Sequence, residues 1–400
     1  MIKKAFILIL INILLILNTG CWGKTELNDI GLVTATGIDS EQNGNVRITV
    51  ISITPIGFGT KGEPERSNAW IGTATGKTFA DAKRNLSEVA TKNLAWSHNK
   101  LIIIGESLAK KGIGDIINYL SRSKEFRYEN KILITPTTAY DILTTPADIE
   151  KNLVSEIEGI VNNIKEEWSK SYIENFKDIV VNLCEKKSGF VTGKIYYYET
   201  HNTTISTNRG EFDTMESNRK GRSVAIIRGS SVFKNDKLVG WIDGTETGAY
   251  ILITDRVKCR TITTNYNDGR DSLSFTFKGS KSKLKAQFNK NKISFNIDLK
   301  VNGKISGLYT GQNIRKEEEI KEMEQAISDT IKNNLRKTVL KAQKELKTDF
   351  LGFGEHIFRR HPNHWREIGD RWDDIFQTIE VNYNVQVRID RSGMISNPAK

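Results

Sequence analysis

The chain has 400 residues, of which 38% are hydrophobic and 27% are charged, and its formal net charge is +11. This length is more than one ordinary domain needs, and the composition is that of globular protein, so two or three domains are predicted. No apolar stretch beyond the N-terminal one approaches the about 20 residues of a bilayer span, which excludes a polytopic channel.

The first residues have the organisation of a bacterial export signal. Two lysines precede an apolar run over residues 5–17, which is too short to be a permanent membrane span. A glycine and Cys21 follow, and this resembles the lipobox of bacterial lipoproteins, in which the cysteine thiol takes a diacylglycerol and becomes the mature N-terminus. The pattern departs from the lipobox at Asn18, where an apolar residue is preferred. Residues 1–20 are therefore predicted to be a lipoprotein signal peptide with Cys21 lipidated, and plain secretion is the alternative.

Export would place the rest of the chain outside the cytoplasm, on a membrane surface. Burial of acyl chains contributes ~0.8 kcal/mol per CH₂, and two chains suffice for stable anchoring. ATP-dependent chemistry and genomic DNA are out of reach there, so no nucleic-acid partner is predicted. The excess of basic residues instead indicates weak attraction to anionic lipid or wall polymer, or merely a basic surface.

Two further cysteines remain after the signal. Cys184 and Cys259 both lie in apolar sequence contexts. They are predicted to be buried free thiols, and a single disulfide between them is the alternative.

The first half of the chain alternates strands with helices. Strands are predicted at 30–39, 46–53, 69–74, 100–105, 130–135 and 195–198, and helices at 78–90, 107–120, 147–168 and 172–184. This succession implies parallel strand pairing with helices packed on the sheet. Residues 21–198 are predicted to form an N-terminal α+β domain, with a subdivision near 140–150 as an option.

The second half is predicted to be a C-terminal α+β domain over residues 222–396. Residues 199–221 are polar and lack periodicity, which predicts a linker or flexible loop before it. Alternating strands are predicted at 224–233, 238–242, 258–266, 273–277, 283–288, 292–301 and 379–389. Short turns between successive strands favour an antiparallel sheet.

One long amphipathic helix is predicted over residues 315–347. Its apolar positions recur at steps of three or four and form one stripe, made of Ile320, Met323, Ile327, Ile331, Leu335, Val339, Ala342 and Leu346. The steps drift from strict heptads, so the helix is predicted to brace the C-terminal sheet, and a coiled coil is the alternative. The predicted fold class is therefore multidomain α+β, with parallel βαβ units first and an antiparallel sheet braced by one long helix second.

Two patterns look like chemical sites and are interpreted otherwise. Residues 72–78 have three residues between their glycines where a phosphate-binding loop needs four, so they are interpreted as leading into a helix. His356, His361 and His364 have offsets that do not share one helical face, so they are interpreted as surface or capping residues. With no nucleophile motif in the sequence, no enzymatic activity, metal or cofactor is predicted.

Short motifs follow one another over nearly the whole chain. They are CW (21–22), ELND (26–29), GID (37–39), TFADA (78–82), WSHNK (96–100), IGE (104–106), SRSKEFR (121–127), VFKNDKLVG (232–240), ETG (246–248), DFLGFG (349–354) and the tryptophans at 365 and 372. Each motif alone is weak. Their order and spacing together resemble the Ger(x)C family, the C-subunit lipoproteins of bacterial spore germinant receptors.

The resemblance implies a role in nutrient-triggered germination without enzymatic activity. It implies a lipid anchor on Cys21, with diacylglyceryl and N-acyl groups such as palmitate, on the outer face of the spore inner membrane. It also implies two integral-membrane partner subunits. Charged residues near strand ends, where loops meet partners, are candidate contacts with these subunits, namely Glu106, Glu125 and Arg127. Local salt bridges are the alternative for all three.

A second function stays open on the sequence alone. A lipid-anchored solute-binding protein would capture the nutrient directly, between two similar lobes around a cleft. The two predicted halves differ in architecture, which favours the receptor subunit.

Overall fold

The computed structural model describes residues 3, 5–6, 26, 29–54, 69–164, 170–185, 189–200, 222–289, 292–309 and 317–390. Cys21, nearly all of the predicted signal peptide and residues 201–221 of the predicted linker lie outside these ranges. Within them the chain forms two sheets with helices packed against both.

The first sheet contains nine strands within the described ranges. They are β1 (Ile30–Ser40), β2 (Val46–Ile53), β3 (Ala69–Gly76), β4 (Asn93–Ala95), β5 (Leu101–Gly105), β6 (Lys131–Thr135), β7 (Phe190–Thr200), β8 (Arg222–Lys234) and β9 (Lys237–Ile242). Their order is β3-β2-β1-β5-β6-β7-β8-β9, and β4 pairs with the start of β1. The neighbours β1, β5, β6 and β7 are parallel, and the flanking pairs are antiparallel. The parallel βαβ units predicted for the first half are confirmed.

Helices cover both faces of this sheet. They are α1 (Phe79–Val89), α2 (Glu106–Lys111), α3 (Gly114–Arg122), α4 (Ala139–Thr144), α5 (Leu153–Asn163) and α6 (Phe176–Cys184). Strand β5 is buried on both sides, because Ile102 belongs to the core on one face and Ile103 to the core on the other. The single helix predicted over 107–120 is two helices, because Gly112 between them adopts a φ of 132°.

The hairpin β8–β9 was expected in the C-terminal half and instead belongs to the first sheet. Strand β8 pairs antiparallel with β7, from Phe190 opposite Phe233 to Thr200 opposite Arg222, and β9 pairs with β8. Strands that follow one another in sequence tend to pair, because closing the intervening loop costs little entropy. The division of the chain at 199–221 stays a prediction, but the hairpin after it extends the first sheet.

The second sheet is built from β10 (Arg260–Tyr266), β11 (Asp271–Phe277), β12 (Lys281–Asn289), β13 (Lys292–Tyr309) and β14 (Glu380–Ile389). Its helices are α7 (Gly244–Ile253), α8 (Glu317–Leu340), α9 (Phe353–Arg360), α10 (Pro362–Ile368) and α11 (Trp372–Phe376). Strands β10 to β13 pair antiparallel, as predicted. The last strand differs, because β14 pairs parallel with β13. A parallel neighbour needs a long crossover, and α8 to α11 provide it.

Helix α8 packs its apolar stripe against the second sheet and α7. The stripe residues from Met323 to Ala342 are buried, and Ile320 and Leu346 are partly buried at its ends. This confirms the predicted bracing role of the helix. The α-helix ends at Leu340 and continues as one π-helical turn over Lys341–Glu345, so it is shorter than predicted.

The prediction of buried cysteines is wrong for Cys184, which is exposed, while Cys259 is partly exposed. Neither cysteine is in a disulfide, as expected. Helix α6 buries Phe176 and Ile179, and a residue five positions after Ile179 points away from that face.

Candidate functional site

The structure does not bring the three candidate contact residues together. Glu106 follows the carboxyl end of β5, whereas Arg127 precedes the amino end of β6. Strands β5 and β6 are parallel and in register, with Leu101 opposite Lys131, so these are opposite ends of the sheet. The three residues therefore do not form one contact site.

Glu106 and Glu125 each have partners within the chain. Glu106 accepts a hydrogen bond from Trp241 Nε1 at 3.0 Å and pairs with Lys110 at 3.1 Å. Glu125 forms an ion pair with Lys83, whose ammonium group lies 5.2 Å from the ring centroid of Trp96. These contacts agree with the alternative of local salt bridging, which each carboxylate satisfies without any partner subunit.

Arg127 differs from the two glutamates. Its side chain is exposed in the loop before β6. Among the described residues it makes no ion pair within 4.0 Å. It is therefore the one of the three whose charge has no ion-pair partner in the described ranges.

The carboxyl ends of the parallel strands are the usual ligand position in sheets of this type. Here the Asp39 carboxylate fills that position. It accepts hydrogen bonds from the backbone N–H groups of Ala139 at 2.7 Å and Tyr140 at 3.0 Å, at the start of α4, and lies 3.6 Å from Arg47. A Cβ atom at Gly105 would lie 2.2 Å from Asp39 Oδ1, so little space is left. The helix N-terminus that elsewhere binds an anionic ligand is occupied by the chain's own carboxylate.

Burial raises the pKa of Asp39 above its ordinary value, while the two backbone N–H groups and Arg47 act to lower it. Asp39 is the last residue of the GID motif. It joins β1 to α4, which begins about a hundred positions later in the sequence. This part of the motif is thus explained by folding.

A cleft of about 720 Å³ lies between α6 and the β8–β9 turn on one side and α7, α9 and α11 on the other. The cleft therefore lies between elements packed with the first sheet and helices packed with the second sheet. Its lining includes Glu174, Phe190, Arg256, Phe350, Phe358 and Trp365. Aromatic rings lie beside buried carboxylates and guanidinium groups in this lining, which makes the cleft a candidate binding cavity.

An ion pair crosses this cleft. Arg256 Nη1 lies 3.4 Å from Glu174 Oε1 and 3.3 Å from the Tyr250 hydroxyl, and it also donates a hydrogen bond to the Tyr172 hydroxyl. Its guanidinium carbon is 4.9 Å from the ring centroid of Tyr172, a cation–π distance. Glu174 lies just before α6 and Arg256 just after α7, so this cluster ties the two halves together.

Burial raises the pKa of Glu174 to about 7, against the attraction of Arg256, which lowers it. A raised carboxyl pKa means that the folded state holds the proton more tightly than the unfolded chain, whose ordinary value is 4.5. The stability that this group contributes is therefore fully present below pH 4.5 and is lost as the pH rises through about 7.

This loss of stability with rising pH leads to a prediction for Glu174→Gln. The glutamine of the variant cannot ionise, so the variant does not lose this stability as the pH rises. The free energy of unfolding of the variant minus that of the unmutated chain is therefore expected to increase by about 1–3 kcal/mol between pH 4.5 and 8. Urea unfolding at several pH values measures the difference. The exposed substitution Glu150→Gln is the matched control, and an equal pH dependence in both variants would contradict the prediction.

The DFLGFG motif forms a tight turn around one buried carboxylate. Asp349 accepts hydrogen bonds from the backbone N–H groups of Gly352 at 3.0 Å, Phe353 at 3.1 Å and Gly354 at 2.6 Å, and from Trp372 Nε1 at 3.0 Å. Burial raises its pKa, while these four donors act to lower it. Gly352 has a φ of 83°, which favours glycine. The motif therefore positions α9 and α11 beside the cleft.

The three C-terminal histidines come closer together than their spacing suggested. His361 and His364 pack on Phe288, with ring centroids 5.0 and 4.0 Å away. His356 lies 6.2 Å from His361 between ring centroids. In the described ranges no group of three or more His, Cys, Asp and Glu residues has an arrangement that would hold a metal ion. His361 ends α9 and precedes α10, which agrees with the interpretation as a capping position.

The segment that resembled a phosphate loop is confirmed as the lead into a helix. Its glycines lie in or at the end of β3, and Thr78 is the N-cap of α1. The Thr78 hydroxyl accepts a hydrogen bond from the backbone N–H of Asp81 at 3.2 Å. This contact satisfies one of the free donors of the first turn.

Comparison with known proteins matches both halves of the chain. The family described as "Spore germination protein N-terminal domain" matches residues 23–195, and the family described as "Spore germination B3/ GerAC like, C-terminal" matches residues 228–393. The chain belongs to the Ger(x)C family. The two matches leave only a short stretch between them, which contains the predicted linker of this Ger(x)C protein.

Similar proteins align over their whole length. Spore germination protein KC of Bacillus subtilis (strain 168) is 22% identical to this Ger(x)C chain over 410 residues, covering 100% of the chain and 98% of the relative. Spore germination protein B3 of the same organism is 22% identical, covering 94% and 95%. Their names describe germination proteins, which indicates a germination-related role.

A solved structure shares the fold. The crystal structure of the GerBC protein is 20% identical in sequence and superposes with a TM-score of 0.57, covering 88% of this chain and 96% of that one. This likeness confirms the mixed α/β architecture. No helix in the described ranges of this Ger(x)C protein is long and apolar enough to cross a bilayer.

Proposed function

We propose that this protein is the lipid-anchored subunit of a spore germinant receptor. It is held on the outer face of the spore inner membrane through Cys21 and acts through contacts with two integral-membrane subunits. The observation that carries the proposal is the match of both Ger(x)C domain families, over residues 23–195 and 228–393, with the first match starting directly after the lipobox-like cysteine. In this proposal the subunit organises the receptor or transmits its signal, and it has no catalytic activity.

The arrangement of the parallel sheet supports this non-catalytic reading. The Asp39 carboxylate occupies the usual ligand position of such a sheet and caps α4. The Asp349 carboxylate accepts hydrogen bonds from three donors within its own turn and from Trp372 in α11. Both buried acids therefore act in folding, not in acid–base chemistry.

We retain Glu106, Glu125 and Arg127 as proposed partner contacts and rank Arg127 first. Its guanidinium is exposed, whereas both glutamates already have partners within the chain. A charge that meets no partner among the described residues can pair with an acidic group of another subunit without losing a contact seen in those ranges.

Removal of the anchor is the direct test. In cells lacking the other receptor subunits, Cys21→Ala is expected to move the protein from the membrane fraction to the soluble fraction, because the acyl chains supply most of the membrane affinity. In spores with a complete receptor, the same variant is expected to reduce nutrient-triggered germination. Fractionation and loss of spore refractility measure the two effects.

The exposed Cys184 gives a matched control, since Cys184→Ala removes a thiol without touching the anchor. It is expected to leave both measurements unchanged. A Cys21→Ala protein that stays in the membrane fraction without its partners would place the anchor elsewhere. Unchanged germination through its own receptor after deletion of the whole chain would contradict the receptor role.

The cleft provides a specific place for the alternative function, a solute-binding protein. The two halves on either side of it differ in topology, which counts against a two-lobed binding protein. Calorimetric titration of the Cys21→Ala chain with nutrient germinants separates the two functions. A saturable heat of binding would favour the alternative.

A further inference from the structure

Three large apolar side chains lie exposed around the edge strand β3. Trp70 is 38% exposed, Ile71 is 44% exposed, and Val89, the last residue of α1, is 58% exposed. The indole of Trp70 lies flat over Gly72, where an added Cβ would be 2.0 Å from the ring. We call Trp70, Ile71 and Val89 the β3 patch.

The members of the patch lie at the same end of the first sheet. Helix α1 follows β3 after a two-residue turn and packs back along it. At about 1.5 Å per residue, α1 covers about 16 Å, which equals about five strand residues. Along the strand direction, Val89 therefore lies level with Ile71, near the start of β3.

Strand β1 starts at this same end of the first sheet. Ile53 at the end of β2 pairs with Leu32 on one side and with Ala69 on the other. The start of β1 and the start of β3 are therefore separated by a single strand, or about 10 Å. The opposite end of β1, at Ser40, lies about 30 Å further along the strand.

The length of the tether then limits where the membrane lies. About nine residues connect Cys21 to Ile30, and fully extended they reach at most about 30 Å. This step rests on the proposed function, because it needs Cys21 to carry the lipid. The end of the sheet with the β3 patch is thus the end that the anchor keeps nearest to the bilayer.

We propose that the β3 patch contacts the lipid bilayer and orients the lipid-anchored chain with the start of β1 toward the membrane. Tryptophan is suited to this position, because its ring places an apolar body in the interface and keeps a polar N–H hydrated. Ile71 supplies apolar contact from the opposite face of β3, and Val89 supplies it from the end of α1. The acyl anchor provides the affinity and the patch provides the orientation.

Depth-dependent fluorescence quenching tests the proposal. The full lipidated chain, with Cys184→Ser and Cys259→Ser, receives one new cysteine for an environment-sensitive fluorophore, at Ile71→Cys or Val89→Cys. The matched control is Gln42→Cys, exposed in the β1–β2 turn at the other end of the sheet. Each protein is reconstituted in phosphatidylglycerol-containing vesicles with and without doxyl-labelled lipid.

Quenching by the doxyl lipid is expected to be several-fold stronger at positions 71 and 89 than at position 42. Equal quenching at all three positions in vesicle-bound protein would overturn the patch proposal while leaving the lipid anchor intact. Failure of the lipidated chain to bind vesicles would overturn both the anchor and the patch. Position 89 ends a helix in solvent, so its label keeps the test decisive if the change at Ile71 impairs folding.

Discussion

Asp349→Ala is expected to lower the free energy of unfolding by about 4 kcal/mol or more. The carboxylate accepts three backbone N–H groups and Trp372 Nε1, and is 2% exposed. Truncation leaves these donors unsatisfied in a buried turn, and each unsatisfied donor costs about 1–3 kcal/mol. Urea unfolding of the Cys21→Ala chain, followed by tryptophan fluorescence, measures the change.

A nearby acidic residue provides the control for this prediction. Asp374 is exposed in the first turn of α11, so Asp374→Ala is expected to change stability by less than about 1 kcal/mol. Similar losses in the two variants would show that the hydrogen bonds of Asp349 contribute little beyond its charge.

Ile327→Asp is expected to unfold the C-terminal half or to abolish soluble expression. Ile327 is 0% exposed at the centre of the α8 stripe, packed against the second sheet. The substitution loses about 1.5–3 kcal/mol of apolar burial and adds the cost of an unpaired carboxylate in the core. Circular dichroism and the thermal unfolding midpoint measure the effect.

The same helix supplies the control. Asn333 lies on the exposed face of α8, so Asn333→Asp is expected to shift stability by no more than about 0.5 kcal/mol. A folded Ile327→Asp protein with an unchanged midpoint would mean that the stripe is accessible to solvent, and would favour the coiled-coil alternative.

Elements with strong local periodicity were predictable. The stripe of α8 and the alternation in β2 needed only the spacing of apolar residues, because each helix or strand buries one face at a fixed period. Helix α7 was missed, although Asp243 and Glu246 form a capping box at its start. That spacing is a local signal and was sufficient to find the helix.

The polar contacts also differ in whether the sequence could predict them, according to how far apart the partners lie in the chain. Asp349 bonds to residues three to five positions ahead, so the turn it organises was recognisable from an aspartate followed by two glycines. Asp39 and Ala139 are a hundred positions apart, and Glu174 and Arg256 are 82 apart. No local pattern indicates such partners, because they depend on which strands and helices become neighbours.

The sequence by itself determined the export signal pattern, the family resemblance, the parallel units of the first half and the buried stripe of α8. These follow from local spacing and from the order of motifs, which the unfolded chain already contains. Only the tertiary structure decided that β8–β9 join the first sheet, that β14 runs parallel to β13, and that the β3 patch lies beside the entry of the chain. Each of these depends on contacts between distant segments, whose pairing is selected by the free energy of the whole fold and not by any one window of sequence.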